Sequence, residues 1–249
     1  MPPSTRRQYI IDRIEQINKV YIEELAVELN VSPMTIRRDF DLLENEGKVL
    51  RIHGGAVSIK PLIHESSFNE KESRNIEQKQ LIARKAFSYV KDGQTIILDS
   101  GTTTLELAKL LKNRNNVTVI TNDIKIAVEL INSNLKVHLT GGELQINVGT
   151  LFGAVTQEFL SKIYVDIFFM GAHAINLSAG IMSTTHEKSC IKQLMLKAAD
   201  NTWLLADSSK LNQKAFSKVC EFNQLTGIIT DNKITTHQKE NYEEMINIL

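Results

Sequence analysis

The chain has 249 residues, 29 Lys+Arg against 29 Asp+Glu, a formal net charge of zero and two cysteines. That length accommodates a small domain plus one of ~150–190 residues with a sizeable core. Balanced charge excludes an acidic or basic tail, two cysteines exclude a disulfide framework and fit a reducing cytosol, and no apolar run of ~18 residues marks a membrane span.

The N-terminus carries charges every few residues and no long apolar stretch, so no signal peptide is expected and the chain reads as cytoplasmic. A first helix is predicted over about 6–18, with Ile10, Ile14 and Ile17 inward. A short helix over 22–29 follows, burying Leu25, Ala26 and Leu29, and Asn30-Val31 leaves only a tight connection to the next element. There Ser32 is a good N-cap and Pro33 suits the first helical position. Ile36, Phe40 and Leu43 form one apolar stripe. Met34, Arg38, Asp41 and Asn45 fall opposite it, with Thr35 and Arg37 on the flanks. Two guanidiniums, a hydroxyl and a thioether on one exposed face suit phosphates and base edges, which is the helix-turn-helix arrangement. Gly47 reads as a C′ glycine, and residues 48–57 alternate in strand fashion around Gly54-Gly55, giving a wing with Lys48, Arg51 and His53. The expected DNA contacts are therefore Ser32, Met34, Thr35, Arg37, Arg38, Lys48, Arg51 and His53, with Arg6 and Arg7 on the same side. Residues 1–57 hold eight Lys+Arg against nine Asp+Glu, so affinity must come from placement and from a second copy of the module.

From residue 58 to 75 the composition turns polar and charged, as in an interdomain linker. Ile82, Ala83, Ala86, Phe87 and Val90 then mark a helix ending before Gly93. Strands are predicted over 95–98, 117–120, 136–139, 165–170, 203–206 and 227–230. Helices are predicted over 105–112, 124–131, 156–162, 187–198 and 237–248. This alternation argues for an α/β domain over 76–249 with an open, mostly parallel sheet, after a DNA-binding domain over 1–57. Ligands in such sheets bind at the carboxyl ends of the strands. Those ends carry Asp99-Ser100-Gly101-Thr102-Thr103-Thr104, Thr121-Asn122, Thr140-Gly141-Gly142-Glu143, Gly171-Ala172-His173-Ala174, Asp207-Ser208-Ser209-Lys210 and Asp231. Asp99, Ser100, Gly101, Thr102, Thr103, Thr104, Thr121, Asn122, Gly141, Gly142, His173, Glu187, Asp207 and Lys210 are the candidate ligand residues. The Ser-Gly-Thr turn running into a helix favours an anion, though alone it is as often an N-cap. It is neither Walker A nor G-x-G-x-x-G, which argues against a dinucleotide. His186-Glu187 and Cys190 give H-E-x-x-C, which lacks the second histidine of a metalloprotease helix, so no metal is expected. No G-x-S-x-G elbow appears, and no cofactor is implied.

The run 31–40, followed ten residues later by Leu50-Arg51-Ile52-His53-Gly54-Gly55-Ala56, resembles the signature of DeoR-family bacterial transcription regulators. The resemblance continues through 98–103, 120–122, 141–142 and 206–210 and ends near 229–231. It implies a winged helix-turn-helix followed by a sensor domain similar to ribose-5-phosphate isomerase and glucosamine-6-phosphate deaminase. It also implies repression of a sugar or polyol catabolism operon, with a phosphorylated sugar or polyol as effector and double-stranded operator DNA as partner; the need for paired half-sites adds a homodimer or homotetramer. Two departures stand out. Many members carry an acidic residue in a Gly-x-Asp-Gly-like turn where this chain has Gly171-Ala172-His173-Ala174, and the usual glycine after Ser209-Lys210 is absent. The related isomerases keep carboxylates in that loop for proton transfer, so the chain is expected to be a sensor and not an enzyme. The alternatives are a sugar-phosphate isomerase or deaminase with an accessory DNA-binding domain, and an activator.

Overall fold

The computed structural model describes residues 1–17, 19–58 and 68–249, and the chain divides into two units, Met1–Pro61 and Leu62–Leu249. The first unit runs α1 (Pro3–Ile17), β1 (Lys19–Tyr21), α2 (Ile22–Glu28), α3 (Pro33–Asn45), β2 (Val49–Ile52) and β3 (Gly55–Ser58). Ile10, Ile14, Leu25, Ile36, Phe40 and Leu43 close its core together with Val20 and Val49. Ile17 was expected inside and is 49% exposed. α1 ends there, and Val20 of β1 is the next residue to join the core. Asn18, the expected last residue of that helix, lies outside the described residues.

Both helix ends around the tight turn use left-handed residues. Asn30 (φ 51°) lets Val31 donate to the Ala26 carbonyl at 3.0 Å, and Gly47 (φ 65°) lets Lys48 donate to Leu43 at 2.8 Å. These are Schellman closures, and they fix how abruptly α2 turns into α3 and α3 into the wing. The wing is a three-stranded antiparallel sheet in the order β1-β3-β2, one strand more than the sequence suggests. Gly55 is required there, because a Cβ would overlap the Val20 carbonyl oxygen of β1.

The second unit runs α4 (Phe68–Ser73), α5 (Ile76–Phe87), β4 (Thr95–Leu98), α6 (Thr102–Leu111), β5 (Thr118–Thr121), α7 (Ile124–Leu130), β6 (Lys136–Leu139), β7 (Glu143–Gln145) and β8 (Thr150–Phe152). It continues through α8 (Ala154–Leu160), β9 (Val165–Gly171), β10 (Ala174–Asn176), β11 (Gly180–Ser183), α9 (His186–Lys197), β12 (Ala199–Leu205), β13 (Ser217–Cys220), β14 (Gly227–Ile229) and α10 (Thr236–Glu243). Six strands form a wholly parallel sheet in the order β14-β12-β9-β4-β5-β6. Alternate residues serve its two faces: Phe168 and Met170 join one core, Ile167 and Phe169 the other. The strand order reverses between β4 and β9, which opens a crevice at their carboxyl ends.

The sheet and its helices correspond to the predicted α/β layout. Two antiparallel additions do not: the β7–β8 hairpin and the sheet β10-β11-β13. The expected linker over 58–75 falls partly outside the described residues, and its last part, 68–73, is the helix α4, anchored by buried Phe68. Among the described residues no helix is long and apolar enough to cross a membrane.

Candidate functional site

In the first unit the Ser32 hydroxyl accepts the Thr35 N–H at 3.2 Å and caps α3. Arg37 and Arg38 are exposed beside Met34, 53% exposed, with Thr35 half-buried between them. The other expected cations are engaged within the unit. Arg6 is buried and donates through Nε to Asp39 Oδ2 at 2.5 Å, and Arg7 lies 3.8 Å from the same carboxylate. Lys48 pairs with Glu46 at 2.7 Å, and its ammonium holds that carboxyl below the usual range. Arg51 donates to Asp41, while Lys48 and His53, the latter in the turn between β2 and β3, are exposed on the wing. Of the basic face anticipated from the sequence, Arg6 is committed to a buried ion pair and Arg51 to Asp41, whereas Arg37, Arg38 and the half-exposed Lys48 keep their charges toward solvent. Asp39, directly after Arg37 and Arg38 in sequence, was not anticipated as a buried anchor.

In the second unit a cavity of about 340 Å³ lies at the crevice where the strand order reverses. Asp99, Ser100, Gly101 and Thr102 enter it from the β4–α6 turn, Asn122 from the end of β5, and Glu187 from the first turn of α9. Asp99 and Asn122 are its most buried polar residues, each 2% exposed. The carboxylate accepts Ser100 N–H at 2.9 Å, Gly171 N–H at 2.8 Å and the Lys192 ammonium, which also reaches the Gly171 carbonyl at 2.9 Å. One ion pair therefore ties β4, β9 and α9 together at the reversal. Ser100 donates to Asp123 at 2.8 Å, whose carboxyl is pushed up by burial and partly pulled back by that bond. Glu187 is held below the usual carboxylate range by its own backbone N–H at the start of α9 and by the Thr185 hydroxyl.

Eight expected ligand residues do not line this cavity. Thr104 is fully buried and donates to the Asp99 and Gly101 carbonyls at 2.7 and 2.8 Å, closing the turn, while Thr103 lies beside it outside the cavity. The Thr121 hydroxyl accepts Asp123 N–H at 3.1 Å. Gly141 accepts from Thr156 at 2.6 Å, and Gly142 (φ 114°) passes so close to Thr156 and Phe152 that a Cβ would overlap both. That glycine pair is a steric requirement of the β6–β7 turn. His173 lies elsewhere, after β9. Asp207, with Lys210 three residues on, belongs to a separate polar group, where its carboxylate accepts Asn75 and Ser209. The residues missed by sequence reading are Phe68 and Lys71 of α4, Gln145, Val148, Thr150, Leu151 and Phe152 of the β7–β8 hairpin, and Thr185, Lys188, Ile191 and Lys192 around α9. The spacing of Lys188, Ile191 and Lys192 behind Glu187 marks one face of α9 and was the available signal.

His186 and Cys190 meet at 3.4 Å (Nε2 to Sγ). Among the described residues no group of three or more His, Cys, Asp or Glu is placed to hold a metal.

Residues 6–61 match the family described as the DeoR-like helix-turn-helix domain, and residues 74–232 the DeoR C terminal sensor domain. The chain is 37% identical over 235 residues to the HTH-type transcriptional regulator GolR of Listeria innocua, covering 94% of this chain and 92% of that protein. It is 33% identical over 249 residues to the lactose phosphotransferase system repressor of Staphylococcus epidermidis, covering 96% and 98%. Among solved structures, ribose 5-phosphate isomerase A of Methanocaldococcus jannaschii aligns over 55% of each chain, with a TM-score of 0.42 and 21% identity.

Proposed function

Because this chain belongs to the DeoR family of DNA-binding transcriptional regulators, we propose that it represses a sugar or polyol catabolism operon and releases or retains its operator according to a phosphorylated effector in the second unit. The observation that carries this reading is the cavity at the sheet reversal. Lys71 and Lys188 bring cations to it beside the Lys192–Asp99 pair, the α6 N-terminus at Gly101-Thr102 offers backbone N–H groups, and Leu151, Phe152 and Ile191 supply an apolar wall. Phosphate is favoured by the first two features and a short carbon chain by the third.

The effector must distinguish two states of the protein, since equal affinity for both shifts nothing. α4 is suited to that role because it lends both Phe68 and Lys71 to the cavity. Two copies of the chain would place paired recognition helices on an operator in the cytoplasm, which its neutral first unit needs for affinity. Arg37 and Arg38 are the base-reading candidates, and Arg38→Ala should weaken operator binding by about 1–3 kcal/mol.

Catalysis is the poorer reading. The Asp99 carboxylate already accepts three donors, among them the Lys192 ammonium, and His173, in the loop where the isomerases keep carboxylates, is not at the cavity. A gel shift on the DNA upstream of its own gene, at low salt and with pentose, hexose and polyol monophosphates added singly, tests the proposal. One of these compounds should alter the shift without being turned over. A shift indifferent to all of them, or steady turnover of one, would overturn it.

A further inference from the structure

Arg51 stands on β2 of the wing, where a guanidinium is expected to reach a phosphate. Instead it is folded back onto α3. Nη1 donates to the Arg37 carbonyl at 3.3 Å and to the Asp41 carboxylate, and the guanidinium carbon lies 5.6 Å from the centre of the Phe40 ring. Its backbone N–H donates to Glu44 Oε1 at 2.9 Å, and its Nε is buried without a hydrogen-bond partner. Residues 37, 41 and 44 are spaced i, i+4, i+7, so one wing residue grips a single stripe of the recognition helix over two turns. A planar guanidinium can serve a carbonyl and a carboxylate together while stacking on an aromatic face, which an ammonium cannot.

We propose that Arg51 and Asp41 form a clamp that sets the wing against α3, making Arg51 a positioning residue for Arg37 and Arg38 and not a phosphate contact. This rests on the DNA-binding role of the first unit. The two roles make opposite predictions for Asp41. An unengaged carboxylate near DNA repels phosphate, so its removal should tighten binding. If it anchors the clamp, its removal should loosen binding.

The test uses the full chain and a duplex selected by the wild type from a random-sequence pool, with an unselected duplex as reference. Asp41→Ala and Arg51→Ala should each lower the preference for the selected duplex by about tenfold, the double substitution no further, and Arg51→Lys should not rescue. Both single variants should keep the wild-type salt slope. Partial unfolding would lower binding to both duplexes equally and leave the preference unchanged, so it cannot mimic the result. Tighter binding by Asp41→Ala, an unchanged preference, or a salt slope reduced by about one phosphate in Arg51→Ala would overturn the clamp. A wild-type chain that selects no duplex would overturn the DNA-binding reading as well.

Discussion

Lys79 shows how a buried charge is tolerated in this chain. It is 4% exposed, yet its ammonium lies on the Lys71 and Glu72 carbonyls at the end of α4. Burial lowers its pKa from 10.5 to about 8, against the pull of Asp207 and with the push of Lys210. The folded protein therefore sheds this proton before the unfolded chain does. Between about pH 8 and pH 10.5 the unfolded state binds more protons, so this group's contribution to stability rises with pH over that window. Lys79→Met should be most favoured relative to wild type near neutrality, and its melting-temperature difference should shrink as pH rises. A difference that stays flat in thermal unfolding would contradict that assignment. Such residues are hard to read from sequence: Lys79, Arg6 and Lys192 look like ordinary surface cations, and the partners of the last two lie 33 and 93 residues away.

At the scale of elements, caps and turns do most of the specifying. Ser32→Ala removes the only side-chain acceptor at the start of α3 and should cost the first unit about 1 kcal/mol by chemical denaturation. Gly142→Ala places a Cβ against Thr156 and Phe152 at a positive φ, so it should cost more than about 1 kcal/mol in the second unit. No loss in the melt would mean that the turn can relax. The parallel strands were legible because each is an apolar run bounded by polar strand ends, and β4 and β6 fall where the spacing puts them. The β7–β8 hairpin and the sheet β10-β11-β13 are as short as β4 and β6 but are not apolar runs, since β7 is Glu-Leu-Gln and β13 Ser-Lys-Val-Cys. That mixed composition hid Gln145, Val148, Thr150, Leu151 and Phe152 of the cavity wall. α4 was hidden differently: Phe68-Asn69-Glu70-Lys71-Glu72-Ser73 has a linker's composition and a single apolar anchor.

For the whole molecule, the first unit closes one core, and the second closes two large ones on either face of its sheet plus a small one at Ala174, Met182 and Ala215. Stability losses should therefore sort by unit. Arg6→Ala leaves Asp39 only the looser Arg7, 3.8 Å away, and Asp99→Asn leaves Lys192 without its carboxylate; each should cost about 3–5 kcal/mol. In calorimetry the first should lower only the transition of residues 1–61 and the second only that of the remainder. A common shift in both variants would refute the division. Asp39 has a further consequence, for engineering. It lies within the recognition helix, yet the residue that neutralises it comes from α1. Grafting residues 33–45 into another scaffold to transfer sequence preference would carry over a buried carboxylate stripped of its counter-ion. The unit of exchange between such regulators is consequently the α1–α3 assembly, and specificity swaps that keep Arg6 beside Asp39 should succeed where helix-only chimaeras misfold.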